Sequence, residues 1–218
     1  MNTTIILILV LVCISVYFIM QYKGNFEKRL AYHTPRLLSP ERQEYINGAE
    51  RYFKKASIII GLLTGLPLMI IFVFLLSQDV NDSLIIFLFT IFIILIECLC
   101  IYLMYRFFAK NIKKQQLLLE QMSDSDFELL LDIQKKSYPF KYFPPFILCK
   151  DRLYFFGFVV QEINPESIKK VSFTYARGGN ILVRIKSTTS TTISLYRNIY
   201  PILVEIIKKY SPDAQIES

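Results

Sequence analysis

One histidine and four cysteines are all that this chain of 218 residues offers for soft metal ligation or nucleophilic catalysis. Cys98 and Cys100 are two apart, which on a helix turns them to nearly opposite sides, and Cys13 and Cys149 lie far from both. No His/Cys cluster can be assembled around His33. No disulfide is expected, because no cysteine has a partner in an oxidising compartment. The chain also lacks G-x-S-x-G, a Walker loop, H-E-x-x-H and paired carboxylates on any predicted pocket wall. These absences argue for a protein with no catalytic residues, no cofactor and no metal. A basic helix, an aromatic stacking face and any nucleic-acid motif are missing too, so no nucleic-acid partner is expected.

Apolar side chains, by contrast, are abundant at 53% of residues, and they are concentrated. Thr3–Met20, Ala56–Leu76 and Leu84–Phe108 are apolar blocks of 18, 21 and 25 residues. A helix crosses the hydrocarbon with roughly 20 apolar residues, so block length predicts three transmembrane helices. Lys and Arg are distributed as none before the first block, eight in Gln21–Lys55, none in Ser77–Ser83, and four at the end of the third block and just beyond it (Arg106, Lys110, Lys113 and Lys114). By the positive-inside tendency this predicts a multi-pass protein of the cell (inner) membrane, N-terminus outside and C-terminal domain cytoplasmic. The first block has an uncharged n-region and no A-x-A site, which predicts an uncleaved anchor and not a signal peptide.

The second and third blocks are joined by seven residues and must form an antiparallel hairpin. Gly61 and Gly65 make a small-xxx-small motif that lets another backbone approach closely. Pro67 frees a carbonyl near Leu63. Glu97 is the one acid inside a block, and a turn near residue 80 sets residue 64 opposite residue 96, which brings Thr64 to the depth of Glu97. The expected role of Glu97, Thr64, Gly61 and Gly65 is intramembrane packing, with a proton or ion site as the functional alternative.

The expected organisation is a first span (1–20), a basic cytoplasmic loop (21–55), a helical hairpin (56–109), a stalk helix with a Pro/aromatic linker (110–145) and a cytosolic domain (146–218). Ser123 to Asp126 looks like a helix stop and restart, with Ser125 and Glu128 at capping-box spacing. After Pro145 the apolar period changes from 3.6 to 2. A hairpin around Lys150-Asp151, a strand over Phe158–Ile163, strands around Val171–Tyr175, Ile181–Lys186 and Thr191–Tyr196, and a turn at Gly178-Gly179-Asn180 follow. Ile199, Ile202, Leu203, Ile206, Ile207 and Tyr210 then form one helical stripe, with Asn198 as its expected cap and Pro201 in the first turn. Six short strands and an amphipathic C-terminal helix make an α+β domain in which the helix plugs a curved sheet.

The segments Leu148–Gly157, Ile163–Val171 and Ile181–Lys186, with the closing helix, resemble the bacterial pleckstrin-homology-like (PH-like) domains of small membrane proteins, over under a third of the chain. The resemblance implies a small curved β-barrel closed by a helix and used for binding. Lys150 and Arg152 match the place where phosphoinositide-binding members of the wider fold carry basic residues, and they are the candidate lipid or partner contacts. Residues 110–218 carry a net charge of +5 (16 basic, 11 acidic) and Gln21–Lys55 a net of +4 (8 basic, 4 acidic), which suits an anionic leaflet. The leading expectation is a non-catalytic polytopic membrane protein whose PH-like module binds membrane lipids, a protein partner or a second copy of itself. An immunity or resistance factor against a membrane-active toxin or bacteriocin, and a small transporter or transporter subunit, are the alternatives.

Overall fold

The computed structural model describes residues 25–76, 83–137, 140–157, 159–176 and 179–217. The chain divides into two compact units, one formed by residues up to Leu37 together with Leu117 onward, the other by Leu38–Gln116.

The second unit is an antiparallel helical pair. Helix α2 spans Pro40–Leu76 and helix α3 spans Ser83–Leu119, both of 37 residues. Tyr45 donates a hydrogen bond to Gln115 (3.0 Å), and Phe53 stacks on Phe108 with ring centroids 4.6 Å apart. A Cβ on Gly61 would lie 3.1 Å from Ile101, and Thr64 donates to Glu97. Partners rise along one helix as they fall along the other, so the two helices run antiparallel. Ile58, Ile59, Leu62, Leu63, Leu66, Ile94 and Leu95 are exposed, an apolar surface of the kind that marks association.

Among the described residues, no helix is long and apolar enough to cross a membrane. That finding corrects the three transmembrane helices, the membrane assignment and the multi-pass inner-membrane placement with its outside N-terminus. The expectation measured runs of apolar letters, whereas the elements that form are longer and mixed. Ala56–Leu76 is the second part of α2, whose first sixteen residues carry Glu41, Arg42, Glu44, Glu50, Arg51, Lys54 and Lys55. Leu84–Phe108 belongs to a helix that runs on through Lys110, Lys113 and Lys114, and Gly61, Thr64, Gly65, Pro67 and Glu97 interrupt the two runs. Thr3–Met20 lies outside the described residues. The predicted basic loop is helical over much of its length, in α1 (Asn25–Ala31) and the start of α2.

The first unit is built on two small open sheets. The three-stranded sheet has the order β1 (Phe146–Cys149), β2 (Arg152–Phe155), β3 (Gln161–Ile163). The four-stranded sheet has the order β6 (Ser190–Tyr196), β5 (Asn180–Lys186), β4 (Lys170–Tyr175), β7 (Gln215–Glu217). Helix α4 spans Asp124–Lys136, and helix α5 spans Tyr200–Tyr210. Inward residues of both sheets, among them Phe146, Phe155, Val171, Val183, Ile185 and Leu195, share one core with Ile133 of α4 and with Ile202, Leu203, Ile206 and Ile207 of α5. Burying these side chains against one another is the main source of the unit's stability.

Local chemistry differs from expectation at three places. The cap of α4 is Ser123, whose hydroxyl accepts from the Asp126 N–H at 3.1 Å, so the helix opens before Ser125. Asn198 does not cap α5; its side-chain amide donates to the Lys136 carbonyl at 2.7 Å and ties the end of α4 to the end of β6. A seventh strand, β7, follows α5 and pairs parallel with β4. The three-stranded sheet is buried on both faces. Ile147, Cys149 and Tyr154 point away from the core and are nonetheless buried, with the Phe26 ring of α1 edge-on to Tyr154 at 5.7 Å and the Cys149 thiol 3.5 Å from the Leu118 carbonyl.

Candidate binding site

Three places are built from residues that the sequence singles out or that the fold brings together. The first is the centre of the helical pair. A Cβ on Gly65 would come within 2.6 Å of Glu97 Oε1, so the carboxylate fills the notch left by the missing side chain. Thr64 donates to the same oxygen at 3.3 Å and also back to the Ile60 carbonyl at 2.9 Å. Glu97, Thr64 and Gly65 meet across the pair, whereas Gly61 faces Ile101 and not Glu97. This is the geometry of a packing contact between helices.

The second place is the β1–β2 hairpin. Lys150 and Asp151 both take positive φ, 50° and 57°, the left-handed pair that a two-residue hairpin turn requires. Arg152 does not stand free. Its guanidinium donates to Glu162 Oε1 at 2.6 Å, and the other oxygen of Glu162 is held by Arg29 of α1. Asp151 accepts from the Tyr210 hydroxyl at 2.6 Å, and the Lys150 N–H points at Asp126. The turn therefore places the Asp126 carboxylate at the Lys150 backbone, binds Asp151 to Tyr210 and Arg152 to Glu162, and leaves the exposed Lys150 as the one cation of the expected pair without an ion pair among the described residues.

The hydrogen bond to Asp151, with burial and the nearby charges of Asp151, Asp126 and Glu166, pushes the Tyr210 hydroxyl up to about 12. The fold holds this phenol protonated, so the contact stabilises fully below the ordinary tyrosine range and fades as pH rises from about 10 to about 12. Alkaline difference spectra should show one tyrosine titrating last, and Tyr210→Phe should remove that phase. The variant should lose stability below pH about 10 and none near pH about 12. An unchanged last phase in the variant would refute the assignment.

The third place was not legible as a site in advance. The two sheets are not joined between the open end of the β1–β2 hairpin and strand β6, and a cleft of about 330 Å³ lies there. Phe140, Phe143, Pro145 and Phe156 wall one side, and Thr192 to Tyr196 of β6 form the other. The Pro/aromatic segment expected to serve as a linker supplies this wall, where Phe143 closes a turn by donating to the Phe140 carbonyl at 2.9 Å. Strand β6 is an edge strand. The Ala176 N–H donates to the Asn180 carbonyl at 2.9 Å, so the even-numbered residues of β5 turn their backbone groups toward β4 and the odd-numbered ones toward β6. By the register of β5 and β6, the backbone groups of Ser190, Thr192 and Ser194 then face outward from the sheet. On the outer face, Arg184 sits between Ser172 and Thr192, and Lys186 between Lys170 and Ser190. Lys170 is paired with Glu217, whereas Arg184 and Lys186 are exposed and form no ion pair among the described residues. The alternation of hydroxyl and apolar residues from Thr192 to Leu195 is the sequence signal that marks this edge. No protein family, curated protein or solved structure matches the chain.

Proposed function

We propose that residues 140–217 are a non-catalytic binding module that receives an extended segment of a partner protein along strand β6. The observation that carries this reading is an edge strand with outward N–H and C=O groups running beside an aromatic cleft. A sheet edge of this kind pairs readily with another strand, and the groove next to it selects side chains. No histidine, cysteine or carboxylate lines the cleft among the described residues, so its hydroxyls lack a base. The lipid alternative draws less support, because Arg152 is engaged by Glu162, which leaves Lys150 alone of the expected basic pair.

A photo-cross-linking side chain placed at Ser194 in the full chain, in its native cells, should give a discrete protein adduct. The same group at the exposed Glu205 of α5 should not. Equal adducts at the two positions, or none at Ser194, would overturn the reading.

A further inference from the structure

We infer that the segment received by β6 is an extended strand of a partner protein in which acidic and apolar residues alternate. This inference rests on the binding reading above and adds the chemistry of the ligand.

A strand added to β6 runs at the usual spacing of about 4.8 Å and sends alternate side chains to opposite faces. On the inner face they meet the cleft, where Phe140, Phe143, Phe156 and Ile193 present apolar surface. On the outer face, β6 itself offers only the short side chains of Ser190, Thr192 and Ser194. Arg184 and Lys186 lie one strand further in and are long enough to reach across those hydroxyls. A carboxylate on the incoming strand, about two strand spacings from β5, comes within range of them. Among the described residues neither cation forms an ion pair, and the acid two strand spacings away on the other side, Glu217 across Ser172 from Arg184, is already held by Lys170, so an acidic side chain on the incoming strand is attracted and a basic one repelled. Lipid headgroups would use the charges but neither the backbone row nor the apolar cleft, and an apolar strand alone would leave the charges unanswered.

The test uses the full chain and two blocked, fluorescein-labelled peptides as long as β6, one alternating glutamate and valine, the other lysine and valine. Fluorescence anisotropy at low salt should show the glutamate peptide binding roughly tenfold tighter than the lysine peptide. Reversing both charges (Arg184→Glu with Lys186→Glu) should invert that preference. Thr192→Pro removes an outward N–H that β5 does not use, so it should abolish binding of either peptide with the sheet intact by circular dichroism. Equal affinity for the two peptides, or a preference unmoved by charge reversal, overturns the inference. Binding to anionic vesicles that survives Thr192→Pro, or a self-association that Thr192→Pro dissolves while neither peptide binds, overturns it as well. A cross-link at Ser194 without a preference for glutamate would leave the binding reading standing and remove only the ligand chemistry, so the two failures are distinguishable.

Discussion

Phe155→Ala is expected to cost about 3–5 kcal/mol, enough to take the first unit to the edge of unfolding at ordinary temperature. Phe155 is 2% exposed and lies opposite Phe146 in the β1–β2 register, with their ring centroids 6.1 Å apart. Both rings sit in the core shared by the two sheets and α5, so truncation leaves a cavity that no single element can collapse into. Phe156, one residue on, points instead to the cleft and is half-buried. Phe156→Ala should therefore be much milder in stability while weakening any ligand held beside β6. Urea unfolding followed by tyrosine fluorescence separates the two variants. Equal losses would mean that the assignment of these neighbours to opposite faces is wrong.

His33→Ala is expected to cost about 1–3 kcal/mol, the penalty for a buried acceptor left without a partner. The Glu120 side chain is 2% exposed, and its one hydrogen bond comes from His33 Nε2 at 2.6 Å, its other oxygen having no partner. If the cost comes from the stranded carboxylate and not from lost packing, removing both partners should recover most of it. The double variant His33→Leu with Glu120→Leu should then be more stable than His33→Ala alone. A double variant as unstable as the sum of the two single changes would show that the pair is not coupled.

The parts of the fold that could be read in advance are those where a period and a turn signal coincide. The stripe from Ile199 to Tyr210 becomes α5 with Ile202, Leu203, Ile206 and Ile207 buried. Alternation over 180–186 becomes β5 with Ile181, Val183 and Ile185 inward and Leu182, Arg184 and Lys186 outward. Lys150-Asp151 between two apolar runs becomes the hairpin turn. The facing of Thr64 and Glu97 followed from helix rise and a short connection alone. In each case the physical cause acts within a few residues, or through the short spacing in sequence between two helices.

What could not be read depends on contacts between distant segments. Four successive apolar residues in β1 say that the strand is buried, but not that α1, more than a hundred residues earlier, lies against the same sheet through Phe26 on Tyr154, Glu27 on Val160 and Arg29 on Glu162. Strand β7 is three residues long and carries no signal of its own; its pairing with β4 comes from the chain returning after α5. Asn198 has the chemistry of a cap, and only the position of the Lys136 carbonyl decided that it would serve there instead. Arg152 reads as a free cation until the fold sets Glu162 against it.

By itself, then, the sequence determined the local elements, since helical and strand periods and turn residues act over short stretches of chain. Tertiary structure decided which apolar runs merged into the longer helices α2 and α3, which charges were neutralised, and which strand was left as an edge. Partners that lie far apart in the chain meet only after folding, so the letters at Arg184, Lys186 and Thr192 cannot show that they will face outward together beside an open cleft.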